Sequence, residues 1–324
     1  MNKIILPFFL ILSAINLHSQ EILFEKTIGS DTFAGSINNT ETIPIVDKLN
    51  NEIAVFLLNK NHVFGFQFDN NYKLKNNYIS KKNGKKYNTL LGYSKDSTSY
   101  NLFFTDKKKK LFYSKSINFT TKKDNDKIYE FKLKNEAFLS SISQNKQFYI
   151  LSIKKNSSIL ILRAFSGNQL KKIEQFDLSS YNFSNLSHTT LSSILLGYEA
   201  SLNEYFIQKI ESDTPNSLEL TSKKNKLYCI DNKIYITINN LRANTKLITI
   251  DLASFKYNVQ IFSNGIIDCK NKYNEKANSF LYKNTLFQIK GCKNELYFTI
   301  YDIETNKLIK EYRVQRDDEI IFKN

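Results

Sequence analysis

Few residues in this 324-residue chain are of a type that does chemistry. Past the first twenty residues the histidines are His62 and His188. His62 closes an Asn-Lys-Asn-His turn and His188 lies among Ser, Thr and Asn, so each reads as a loop residue rather than a base or a metal ligand. No G-x-S-x-G elbow, phosphate-binding loop or H-E-x-x-H helix is present. Asp124-Asn125-Asp126 opens like a calcium loop but lacks the central Gly and the distal Glu, so it reads as a solvated turn. Asp317-Asp318-Glu319 reads as a solvated acidic segment. Cys229, Cys269 and Cys292 form no C-x-x-C pair, which argues against a zinc or thioredoxin-like site. The expectation is therefore no catalytic, cofactor-binding or metal-binding residue, and no cofactor. The paired carboxylates of a glycosidase would come from distant parts of such a chain and leave no mark in local spacing.

Charge narrows the partners. The chain carries 46 Lys+Arg against 31 Asp+Glu, a formal net charge of +15. Only Arg163, Arg242, Arg313 and Arg316 are arginines. A nucleic-acid binder would favour clustered Arg, whose planar fork matches phosphate, over scattered Lys point charges. Here the lysines come as pairs such as Lys81-Lys82, Lys122-Lys123 and Lys171-Lys172, with one run of four at Lys107–Lys110 between two apolar segments. A solvated Lys/Asn coat is expected, with no nucleic-acid partner. Its basic face would hold loosely to lipopolysaccharide or an acidic polysaccharide.

The N-terminus reads as an address. A basic start (Lys3), an apolar run from Ile4 to Ile15 and a polar exit ending in Ser19-Gln20 have the layout of a secretory signal peptide. The run is too short to span a bilayer core of about 30 Å as a helix. Residues 1–20 are expected to be a signal peptide and 21–324 a single domain, exported to the periplasm, the cell surface or the medium. Nothing after the signal has the length of a transmembrane helix. Export also places the three thiols where disulfides persist.

The elements that would position any site are strands. Runs such as Ile53–Leu58, Val63–Phe68, Tyr100–Thr105, Lys110–Ser116, Phe148–Ile153, Ile234–Ile238 and Leu296–Tyr301 alternate apolar and polar residues. A period of two is the mark of half-buried strands. Polar clusters at Asn59–His62, Asp231–Lys233 and Lys293–Glu295 read as hairpin turns. Thr189–Leu196 is the one helical candidate, and it reads equally well as a strand. A larger unit recurs. Asp251-Leu252-Ala253-Ser254-Phe255-Lys256 aligns with Asp302-Ile303-Glu304-Thr305-Asn306-Lys307, and similar strand–turn–strand units surround residues 69–71 and 166–169. Their spacing fits a period of about 47 residues with two further members, near 115–125 and 208–215.

The D-x-x-[ST]-x-K turn before an outer strand resembles the blades of β-propellers. With the signal and the Lys/Asn-rich composition, the chain resembles secreted propeller-like proteins of Bacteroidetes-type bacteria. That resemblance implies an all-β propeller of about six four-stranded blades, six or seven being compatible with the spacing. The Trp-Asp, Gly-Gly and sialidase-box marks of named propeller families are absent, so no functional residue carries over. In a blade register, Cys269 and Cys292 fall on one face of the last blade, which implies a Cys269–Cys292 disulfide and a free Cys229 thiol in a strand. Glu21-Ile22-Leu23-Phe24 echoes Glu319-Ile320-Ile321-Phe322, as if strands from both ends closed a ring.

The function expected from these features is a non-enzymatic, monomeric binding or scaffold protein for a protein or glycan of the cell envelope. The alternative is a secreted hydrolase or lyase acting on polysaccharide with carboxylates at the propeller axis. An outer-membrane barrel is disfavoured by short strands, short turns on both sides and an end in Lys323-Asn324.

Overall fold

The computed structural model describes residues 25, 41–47, 50–82, 86–183, 190–196, 206–211, 214–239, 243–269 and 275–320. The segment read as a signal, His188 and the two ends read as closing a ring lie wholly or partly outside these residues. The fold is all-β, built as a succession of mostly antiparallel sheets. β1 (Glu41–Asp47), β2 (Glu52–Leu58), β3 (His62–Phe68) and β4 (Leu74–Lys81) form the first, in that order. β5 (Thr89–Lys95), β6 (Tyr100–Thr105), β7 (Phe112–Asn118) and β8 (Lys123–Tyr129) form the second. The third holds β9 (Glu136–Gln144), β10 (Gln147–Lys154), β11 (Ile159–Ser166) and β12 (Gln169–Asp177). The fourth holds β13 (Gln208–Ile210), β14 (Asn225–Ile230), β15 (Lys233–Ile238), β16 (Asn244–Asp251) and β17 (Tyr257–Ser263). The fifth holds β18 (Lys276–Tyr282), β19 (Thr285–Gly291), β20 (Glu295–Asp302) and β21 (Lys307–Gln315).

With β13 set aside, each is an antiparallel meander of sequence neighbours, the local plan of a propeller blade. The described residues form five such sheets. A unit is present at 115–125, as the repeat requires. Around 208–215 there is instead the three-residue β13, which joins β14 in parallel, followed by the short helix α2 (Leu218–Thr221). By contact density the chain divides into one unit of residues 1–88 with 115–126 and a second of residues 89–114 with 127–324.

The strand pattern follows from burial. Middle strands such as β6 (YNLFFT) and β10 (QFYILSIK) are buried on both faces, their polar residues included. Last strands such as β12 and β21 are mostly exposed. The turns before the last strands are fixed by Asp side chains. Asp251 Oδ1 accepts the Ala253 and Ser254 amides at 3.0 and 2.7 Å, Asp302 Oδ1 the Thr305 amide at 2.7 Å, and Asp69 Oδ1 the Asn71 and Lys73 amides at 2.9 Å each. A carboxylate that receives such bonds is favoured in its charged form, and Asp251 and Asp302 are held below the ordinary Asp range by the Ser254 and Thr305 amides respectively.

Three cores organise the second unit. Phe103, Phe112, Tyr129, Phe148 and Phe165 form an aromatic cluster in which Phe103 and Phe148 stack with centroids 4.0 Å apart. A larger aliphatic core joins the third and fourth sheets through residues such as Leu151, Leu162, Ile236 and Ile248. Leu191, Ile194 and Leu195 complete it from helix α1 (Leu191–Leu196), so the ambiguous segment is helical. Their i, i+3, i+4 spacing buries one face. A third core, with Tyr228, Tyr235, Leu247, Leu281 and Leu286, lies between the fourth and fifth sheets. In the first unit, Phe64, Phe66 and Phe68 form the core, and a Cβ on Gly65 would stand 2.8 Å from the Phe119 ring.

Candidate functional site

The strand period puts an unusual group of polar residues inside the third of these cores. On β14, Tyr228 and Ile230 face the fifth sheet while Leu227 and Cys229 face the third-sheet core. Lys226 shares the parity of Tyr228 and is entirely buried. On β15 and β16 the same face carries Thr237 and Thr245, and from β19 and β20 come Gln288 and Thr299, all buried. These side chains make a continuous polar seam between two sheets.

The seam is closely bonded. Lys226 Nζ donates to Asn278 Oδ1 at 2.6 Å and to the Ser279 carbonyl at 2.8 Å. Gln288 Nε2 donates to Thr245 Oγ1 at 2.7 Å and Asn264 Oδ1 at 2.6 Å, and Gln288 Oε1 accepts from Thr299 Oγ1 at 3.0 Å. The Thr245 hydroxyl also lies 2.8 Å from Asn239 Oδ1. Ser279, Gln288 and Thr299 are cross-strand partners in register, which ties the Lys226 end of the seam to the Gln288 end. Burial without a carboxylate pushes the Lys226 amine down to about 7. At neutral pH such an amine exchanges a proton readily, but its burial keeps it from a substrate in solvent.

Beyond the seam, the loop after β17 is tied to the β19–β20 turn. Cys269 and Cys292 are joined by a disulfide across 23 residues of sequence. Beside it Glu295 accepts from Arg313 Nη1 at 2.6 Å and from the Asp268 amide at 2.7 Å. Gly265 in this loop has φ +69, and the Tyr297 ring occupies the space where a Cβ would stand. Replacing both cysteines by Ser is expected to lower stability by about 3 kcal/mol, through the freed loop of the unfolded chain. Urea melts of the oxidised protein and the double variant would measure it; equal midpoints would show that Glu295 alone holds the loop.

Cys229 is a half-buried free thiol on β14, and burial pushes it up to about 11, far from a reactive thiolate at neutral pH. His62 is the first residue of β3, with a buried Nδ1 that has no hydrogen-bond partner among the described residues. Asp124 and Asp126 stand on β8, not in a solvated turn. The reason is Lys115, whose buried ammonium lies 2.7 Å from Asp126 and 3.5 Å from Asp124. Ser80 and Tyr78 also donate to Asp124. Asp318 Oδ2 accepts from the Gln315 amide, closing a turn after β21. No group of three His, Cys, Asp or Glu able to hold a metal ion occurs among the described residues. No described helix is long and apolar enough to cross a membrane.

No protein-family model matches the chain, and no curated protein matches it. Solved structures similar to it include a Synechocystis apocarotenoid oxygenase variant, at 7% identity and a TM-score of 0.38, covering 85% of this chain and 61% of that one. A chimera of the apocarotenoid oxygenase with RPE65 has 7% identity and a TM-score of 0.37, with 81% of this chain and 58% of that one covered. The cobalt-substituted oxygenase matches at 7% identity and a TM-score of 0.38. The chain thus spans about three fifths of the length of the enzymes it matches. These neighbours correct the expectation of a non-enzymatic binding or scaffold protein. The solved structures that resemble the chain are those of an oxygenase, not of a binding or scaffold protein.

Proposed function

We propose that the protein is exported and meets an acidic glycan of the cell envelope through the basic edges of its sheets. The observation that carries this is the same kind of surface, present separately on three last strands. β4 exposes Lys75, Lys81 and Ile79, β12 exposes Lys171, Lys172 and Ile173, and β21 exposes Lys307, Lys310 and Ile309. Lysine ammoniums beside aliphatic surface give loose, salt-sensitive attraction to a polyanion rather than the fixed geometry of an Arg fork. The same lysines discourage edge-to-edge pairing of sheets, which suits a chain that works as a monomer. The signal-like start and the Cys269–Cys292 disulfide support the location, since disulfides persist in oxidising compartments. The D-x-x-[ST]-x-K turns support placing it with secreted sheet-repeat proteins of Bacteroidetes-type bacteria.

The test is retention of chain 21–324 on polygalacturonate beads compared with neutral dextran beads. Retention on the acidic beads alone, lost as salt rises and weakened by Lys171→Glu with Lys172→Glu, is the expected result. Equal passage over both beads at low salt would end the proposal.

A further inference from the structure

The chain buries several cations, and three of them carry their own counter-charge. Lys115 has Asp124 and Asp126, Arg163 has Glu136 at 2.8 Å, and Lys290 has Glu275 at 3.2 Å. Lys226 is as deeply buried and has only neutral acceptors, Asn278 Oδ1 and the Ser279 carbonyl. An ammonium has three N–H donors, so one of them is left over. The residue that supplies the second acceptor also supplies a second loose donor. Ser279 is 4% exposed, and its Oγ has no hydrogen-bond partner among the described residues. The spare Lys226 donor, the Ser279 hydroxyl and the Thr237 hydroxyl on the strand facing Lys226 thus have no hydrogen-bond partner among the described residues, beside an uncompensated positive charge.

The neighbouring elements offer no acid to supply one. β14 presents Tyr228 on the same face, and β15 places Thr237 opposite Lys226. Across from Ser279, Gln288 already gives its oxygen to Thr299. We propose that Lys226 and Ser279 form an internal site for a monovalent halide, chloride under ordinary conditions. A water molecule would satisfy the donors and leave the charge unbalanced in a region of low polarisability. A halide satisfies both. Closure of the seam favours a single small ion over phosphate or a carboxylate.

Binding must then be coupled to protonation, because the ion pairs only with the ammonium form. In a halide-free medium the amine gives up its proton near neutrality; with halide it keeps it to higher pH. The experiment compares sodium bromide with sodium gluconate at equal ionic strength. Crystals grown in bromide should show an anomalous peak within contact of Lys226 Nζ and Ser279 Oγ. At pH 7 the thermal midpoint should rise by about 2–4 °C in bromide over gluconate. Lys226→Met should abolish the rise and Ser279→Ala should reduce it. If Lys226→Met fails to fold, Ser279→Ala and the salt comparison on the unaltered protein decide the matter. A water at the position with no anomalous signal, or equal midpoints in the two salts, would overturn the site.

Discussion

Arg163→Met should destabilise the protein by about 3–5 kcal/mol, while the same change made together with Glu136→Leu should recover most of the loss. Arg163 stands on β11 and faces Glu136 on β9 across β10. Its Nη1 donates to Glu136 Oε2 and its Nη2 to Glu136 Oε1, both at 2.8 Å. Ser152 on β10 lies between them, donating to Glu136 Oε2 at 2.6 Å and accepting from Arg163 Nη1 at 3.1 Å. The Phe131 ring covers the guanidinium at 5.2 Å. The side chains are 7% and 10% exposed, so little water reaches either charge. Removing the guanidinium leaves a carboxylate in an apolar sheet with one hydroxyl for company. Removing both charges takes away the pair's attraction and its desolvation cost together. Urea unfolding of the single and double variants measures the difference. A double variant as unstable as the single one would mean that the pair contributes beyond cancelling its own burial.

Stability in halide-free buffer should rise from neutral pH toward pH 9–10, by an amount on the order of 4 kcal/mol for Lys226 alone. Burial lowers the folded-state pKa of Lys226 to about 7, against an ordinary value of 10.5. Between these values the unfolded chain binds the proton and the folded chain does not, so each step up in pH favours the fold. Below about 7 both states are charged, and burial of the ammonium opposes folding in full. Lys82 and Lys246, also lowered by burial, add to the rise. The trend reverses higher up. Cys229 is raised to about 11 and Tyr149 to about 12 by burial, and Tyr129 and Tyr228 are raised further. These groups ionise first in the unfolded chain, which then gains on the folded one. Urea midpoints across this range should trace a maximum, and Lys226→Met should flatten most of the ascending limb. A profile unchanged by that substitution would refute the assignment.

Much of the scaffold was legible because it rests on local rules. The strand read at Tyr100–Thr105 is β6 to the residue. The run expected at Lys110–Ser116 begins later, at Phe112, because Asp106 takes the amides of Lys108, Lys110 and Leu111 and lengthens the turn. The polar sites were illegible for a different reason. Asp124-Asn125-Asp126 has turn composition, and only the burial of Lys115 explains its place in a strand. Lys226 follows Lys223-Lys224-Asn225 and reads as one more surface lysine. Its acceptors come from β18, some fifty residues later, and no periodicity announces them. The lysine coat is real at the sheet edges, but Lys95, Lys115, Lys226, Lys246 and Lys290 are buried.

The meander order of the sheets bears on how the chain is made. Every strand from β14 to β21 pairs within a sheet whose members follow one another in sequence. A sheet can therefore assemble as soon as its own stretch has emerged from a ribosome or a translocation channel, without waiting for the far end. The disulfide obeys the same economy, since its two cysteines emerge only 23 residues apart. The seam does not. Lys226 must wait, unpaired, until β18 arrives, so the fourth sheet is born holding a cation that only the next sheet can accommodate. A chain released between these two events would stall there, half built and marked by an exposed ammonium.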